Sequence, residues 1–234
     1  MAQLSDVLAG MSGGRVLDVA TGAGGFVHTL AGALADYDEI VGVDSSERAA
    51  AAFAAAFADD RRIGFRMMDA AALDFAPGSF DTVCVANSLH HFADPAPVLA
   101  GMLAALKAGG RFLVYEMRRD CRTEPQLTHT LLHHWWAAVD RTEGIVHRET
   151  YARSELVALL GGLGFAELAF HDIEEAAGDP RDPALAAELA PVFDRYLARA
   201  AGRADLVAQG EALRERVAAV GFSSAPSLLA IGRK

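Results

Sequence analysis

Cysteine is scarce in this chain. It carries two, Cys84 and Cys121, too few for a disulfide framework and not in the C-x-x-C spacing of a metal knuckle or redox pair. Positive charge is also short: Lys and Arg total 21 against 31 Asp and Glu, for a net charge of −10. Nucleic acid and anionic membranes would repel such a chain as a whole, although Arg118, Arg119 and Arg122 form one basic cluster. No apolar run reaches the ~18 residues of a membrane-spanning helix. The opening MAQLSDVLAGMSGG has neither the basic start nor the long apolar centre of a secretion signal. Repeats and low-complexity linkers are missing too. What is left, at 234 residues and 52% hydrophobic content, reads as a single cytoplasmic domain over 1–234 with one sizeable core. Oligomeric state is not legible.

The most informative stretch is Arg15–Phe26, RVLDVATGAGGF. A short apolar run holding Asp18 leads into the glycine-rich turn Thr21–Gly25, which opens a helical pattern to Leu34. Strand, tight turn and helix make the first half of a βαβ unit. Glycines there let the backbone approach a ligand, and the helix start offers free N–H groups. A dinucleotide fold would need glycine at position 27, which is Val. Asp18 would repel a pyrophosphate and attract an ammonium group, so a zwitterionic nucleoside fits better. A second strand, Ile40–Asp44, ends in an acid 20 residues after Gly24. Asp44 is placed to accept hydrogen bonds from two ribose hydroxyls, or to cap the helix that Ser45 and Ser46 introduce. Ile63–Met68 reads as a third strand followed by Asp69, and Phe80–Asn87 as a fourth running into Ser88-Leu89-His90-His91-Phe92-Ala93-Asp94-Pro95. Cys84, inside that strand, reads as a small apolar filler. A helix over 97–106 leads to a fifth strand at 111–116. Five strands with intervening helices argue for a doubly wound, mostly parallel sheet.

The stretch Asp18-Val19-Ala20-Thr21-Gly22-Ala23-Gly24 resembles the first motif of class I S-adenosylmethionine-dependent methyltransferases, D-x-G-x-G-x-G, with Ala20 at the first glycine. The run N-S-L-H-H-F-x-D-P is similar to the fourth motif of their small-molecule, ubiquinone-biosynthesis-like (type 11) group, and L-K-x-G-G-x-F-L-V-x-E to the fifth-strand signature. The resemblance covers about residues 14–116. It implies a Rossmann-like methyltransferase fold, a seven-stranded α/β sheet whose last strand runs antiparallel between strands five and six. It also implies S-adenosyl-L-methionine as cofactor, held by Asp18, Ala20, Gly22, Gly24, Asp44, Ser45, Asp69, Ala70 and Asn87, with Asp69 on the adenine amino group or simply a loop acid.

The second half is individual. Residues 117–151 are expected to form a helical lid over the strand ends, with Leu127, Leu131, Trp135 and Val139 on a core-facing stripe. Gln126, His129, His133, Trp136 and Asp140 share the neighbouring face. A strand over 166–173 follows, then a helical insertion within 180–222 and a last strand from Ser227. His90, His91 and His133 are the candidate catalytic groups, and His129, Trp136 and Asp140 the candidate acceptor-binding ones. His129 and His133, at i and i+4, suit a metal or an anion, but no third ligand is pinned, so no metal is expected. Cys121 is a weaker candidate for a thiophilic acceptor. The expected activity is methyl transfer to a small molecule without nucleic-acid or membrane partners. The alternative is a catalytically silent cofactor-binding protein acting as a sensor or partner subunit.

Overall fold

Alternation along the strands builds the centre of the molecule. In β1 (Arg15–Val19) and β2 (Glu39–Asp44) successive side chains point to opposite faces of the sheet. Leu17, Val19, Val41 and Val43 enter one core with Val83 and Val85, while Val16 and Ile40 enter a second with Cys84. Burial on both faces is the signature of a sheet covered by helices on either side. The computed structural model describes residues 3–175 and 178–234. Its remaining strands are β3 (Ile63–Met67), β4 (Phe80–Ala86), β5 (Leu106–Met117), β6 (Glu167–Ile173) and β7 (Ser227–Arg233). They form one sheet in the order β3-β2-β1-β4-β5-β7-β6. The first five are parallel, and β7 pairs antiparallel with both β5 and β6, as expected. β5 is longer than expected because Leu106 still pairs with Phe80 across an irregularity in register.

Eight helices flank the sheet among the described residues: α1 (Leu4–Leu8), α2 (Gly25–Ala33), α3 (Glu47–Ala56), α4 (Pro95–Ala105), α5 (Glu124–Thr142), α6 (Arg153–Gly161), α7 (Pro183–Arg199) and α8 (Ala204–Val220). Capping follows the sequence closely. The Ser46 hydroxyl accepts from the Ala49 N–H at the start of α3, and Thr123 and Gln126 form a reciprocal capping box on α5. The chain doubles back between β1 and β4, so their carboxyl ends diverge and leave the crevice in which open α/β sheets bind ligands.

The helical insertion lies against α5. Trp135, Leu132 and Val139 of α5 pack with Phe193 of α7 and with Leu206, Leu213 and Val217 of α8 in a third apolar cluster. Trp135 is fully buried, and its indole N–H donates to the Leu206 carbonyl at 2.9 Å. Gly210 makes the approach possible, since a Cβ there would sit 2.3 Å from the Trp135 ring. The expected stripe is corrected at two positions. Leu132 joins Trp135 and Val139 in the cluster, while Leu131 is only partly buried against it and the half-buried Leu127 is not part of it, because α7 and α8 cover a face that the sheet does not reach.

Candidate active site

Five strands, β1 to β5, deliver their carboxyl ends to the crevice. After β1 the backbone turns through Ala20 at φ +56°, Gly22 at +56° and Gly24 at +87°. Ala20 holds a left-handed conformation that a Cβ disfavours by about 1 kcal/mol, at the position where the resembled motif has glycine. A Cβ on Gly22 would meet nothing within 4 Å, so this glycine faces open space. Gly24 differs. Its Cβ would lie 2.3 Å from the Phe57 ring and 3.0 Å from Phe53. The expectation that Gly24 lies against the cofactor is therefore corrected: it lets α3 pack against the start of α2 and lines no part of the crevice.

The acids hold the turn. Asp44 accepts from the Gly22 N–H and from the Ser46 N–H, both at 2.9 Å, so it serves helix entry and glycine turn together. Asp69 caps the short turn Ala70–Ala72 by accepting from the Ala71 N–H at 2.9 Å. Asp18 is 1% exposed. It accepts from the Thr21 hydroxyl at 2.6 Å and from the Cys84 thiol at 3.3 Å, so Cys84 is a donor as well as a filler. Burial raises the Asp18 carboxyl to about 6, against the pull of those two hydrogen bonds.

Three contiguous cavities occupy the crevice. The largest, about 670 Å³, is lined by Ala20, Gly22, Asp44, Ser45, Asp69, Ala70, Asn87 and His91, with the apolar Met68 and Phe92. A second of about 430 Å³ adjoins it at Ala20, Gly22 and Asn87 and reaches Asp18, Thr21 and Tyr115. A third of about 250 Å³ continues from Asn87 and Tyr115 to His90, Met117, His129 and His133 under α5. Asn87 stands where all three meet. It is left-handed at φ +47°, and its side-chain oxygen accepts from the Met117 N–H at 2.9 Å, which ties the end of β4 to the end of β5.

The histidines divide. His90 is buried and its Nδ1 lies 3.1 Å from Glu116. His91 lines the largest cavity, not the one under α5. His133 reaches the turn after β4, with its ring centroid 4.9 Å from that of His90. His129 lines the third cavity while its Nδ1 accepts from the Ala225 N–H at 2.9 Å. Burial pushes His129 down to about 4 and His133 still further below the ordinary imidazole range. Two expected acceptor contacts are corrected. Trp136 stacks on Tyr196 of α7 at 5.7 Å, and Asp140 pairs with Arg199 at 2.6 Å and with His147 Nδ1 at 2.6 Å. Neither lines any of these three cavities, because the insertion turns that part of α5 into an interior surface. Cys121 lies against the Thr130 hydroxyl at 3.0 Å, also outside the cavities.

Sequence reasoning missed Glu116, Tyr115, His147 and Glu175, the last of which lines the second and third cavities. Glu116, fully buried, accepts from the Ser88 and Leu89 N–H groups at 2.6 and 2.7 Å and so shapes the turn that carries His90. Its signal was present, as the acid closing the fifth-strand signature. His147 and Glu175 sit in loops whose local sequence carries no such signal.

A crevice at the switch point, a glycine turn and an acid at the end of β2 define a class of protein, and comparison with known proteins agrees. Residues 16–110 match the family described as "Methyltransferase domain". The chain is 30% identical over 185 residues to the ubiquinone/menaquinone biosynthesis C-methyltransferase UbiE of Geotalea uraniireducens, covering 69% of this chain and 74% of that one. It is 37% identical over 107 residues to the UbiE of Geobacter sulfurreducens, where the match covers 44% of this chain and 42% of the relative. The crystal structure of YcgJ from Bacillus subtilis superposes with a TM-score of 0.61 at 19% identity, over 99% of this chain and 96% of that one. The chain belongs to the class I S-adenosylmethionine-dependent small-molecule methyltransferases. Methyl transfer is its chemistry, and no finding favours a catalytically silent role. No helix among the described residues is long and apolar enough to cross a membrane.

Proposed function

We propose that this chain binds S-adenosylmethionine across the two larger cavities and methylates a compact acceptor in the third. The observation that carries the reading is the meeting of all three at Asn87. The adenosine lies in the 670 Å³ cavity, its ribose hydroxyls on the remaining lone pairs of Asp44 and its adenine between Asp69 and the apolar Met68 and Phe92. The methionine portion lies in the 430 Å³ cavity with its ammonium toward Asp18. The sulfonium methyl then stands beside Asn87, facing the space under α5.

Transfer is an in-line displacement: the acceptor atom bonds to the methyl carbon as the carbon–sulfur bond breaks, leaving S-adenosylhomocysteine. The protein's work is alignment and exclusion of water. A cavity of 250 Å³ lies below the range usual for drug-sized ligands, so the acceptor, or the part of it that enters, is small. The relatives named for C-methyl transfer in ubiquinone and menaquinone biosynthesis support a small-molecule acceptor, without bearing on its size. Where the acceptor carries a proton that must leave, the imidazoles of the third cavity are the groups placed to receive it. Titration calorimetry with S-adenosylmethionine tests the first half of the reading. An acceptor screen that follows S-adenosylhomocysteine tests the second, and a chain that binds no cofactor overturns both.

A further inference from the structure

Three imidazoles from three separate segments converge beneath α5. His90 comes from the turn after β4, His133 from α5 and His147 from the loop that follows α5. One ring nitrogen of each lies within 4.8 Å of those of the other two. Each ring also has a buried nitrogen without a hydrogen-bond partner: Nε2 of His90, Nδ1 of His133 and Nε2 of His147. Buried polar atoms are rarely left so, and an unpartnered nitrogen on each of three neighbouring rings points to a shared ligand.

The surroundings say which ligand. Nδ1 of His90 faces Glu116 at 3.1 Å, and Nδ1 of His147 faces Asp140 at 2.6 Å. A carboxylate on Nδ1 fixes the ring with its proton there and the lone pair on Nε2, the arrangement that supports metal-bound histidine. Imidazole nitrogen selects first-row transition metals over magnesium or calcium.

We propose that His90, His133 and His147 bind one divalent first-row transition ion of the Zn²⁺ type. Zinc–nitrogen bonds of about 2.0–2.1 Å place tetrahedral nitrogens about 3.3 Å apart, so the widest pair closes by roughly 1.5 Å, within reach of small side-chain rotations. Three protein ligands leave a fourth position for water or an acceptor oxygen, and His90 and His133 line the acceptor cavity. The ion's role in methyl transfer rests on the reading above, whereas its binding does not.

The test uses the full chain, freed of metal with a chelator and titrated with Co²⁺ in the absence of cofactor. One Co²⁺ per chain is expected, with the intense visible absorption of tetrahedral coordination, and one equivalent of Zn²⁺ should displace it. His133→Ala and His147→Ala should each weaken binding at least a hundredfold, and Asp140→Asn about 10–100-fold. His28→Ala, on the exposed face of α2, should bind as the parent does. Should His147→Ala fail to fold, the half-buried His133 still carries the test. Failure of the folded parent to bind stoichiometric Co²⁺ overturns the proposal, as does equal binding by the parent and a folded His133→Ala. S-adenosylmethionine affinity, measured on the same samples, keeps failure of the metal site distinct from failure of the cofactor reading.

Discussion

Asp18 offers a test in which stability and binding move in opposite directions. Its carboxyl stands at about 6 in the folded chain against 3.8 for a free aspartate, and burial is the main cause. A folded-state pKa above the unfolded one means that the folded chain holds its proton longer. The stabilising contribution is complete below pH 3.8 and is lost as pH rises through 6. At about 1.36 kcal/mol per unit, the loss across that window is about 3 kcal/mol. Asp18→Asn removes the titration. Denaturant unfolding should therefore show the variant gaining on the parent by up to about 3 kcal/mol between pH 4 and pH 7.5, and any weakening of the Thr21 and Cys84 hydrogen bonds that is equal at both pH values cancels in that difference. Cofactor binding should run the other way. An ammonium beside Asp18 favours the ionised form, so the parent's S-adenosylmethionine affinity should fall about tenfold from pH 7 to pH 5. The variant should bind weakly at every pH and lose more affinity for S-adenosylmethionine than for adenosine. Parallel stability curves for parent and variant would refute the electrostatic argument. Equal losses for the two ligands would mean that Asp18 only braces the turn.

Asp44→Ala should weaken S-adenosylmethionine by about 2 kcal/mol in calorimetry, and because it also frees the Gly22 and Ser46 N–H groups, the melting temperature should drop too. Glu116→Gln keeps an oxygen for the Ser88 and Leu89 N–H groups but turns an amide toward His90. It should reverse the His90 tautomer and lower kcat at least tenfold with cofactor affinity unchanged, and an unaltered kcat would remove His90 from the chemistry. Gly210→Ala drives a Cβ to within 2.3 Å of Trp135 and should cost about 1–3 kcal/mol in unfolding measurements. A neutral result there would mean that α8 is free to shift away from α5.

What the sequence determined by itself was whatever depends on neighbours in the chain. The strands from β1 to β4 announce themselves as short apolar runs, the helices by their periodicity, and the crevice by a glycine turn and acids at strand ends. Each of those signals is set by backbone sterics or by a local hydrogen bond, as when Ser46 caps α3 or Asp69 caps its own turn. The tertiary structure decided what depends on residues far apart. Gly24 carries the signature of a ligand-contacting glycine, and only the arrival of Phe57 makes it a packing one. Trp136 and Asp140 lie on the expected face of α5, but Tyr196 and Arg199, some 60 residues on, claim them for the interior. The i, i+4 pair His129 and His133 suggested that any ion would sit along α5. Instead, the Ala225 N–H occupies His129, while His133 meets His90 and His147 across two chain reversals. Periodicity tells which side of a helix is wet or dry, whereas the partner that dries it is fixed by packing, and that choice decides which polar groups keep lone pairs free for a ligand.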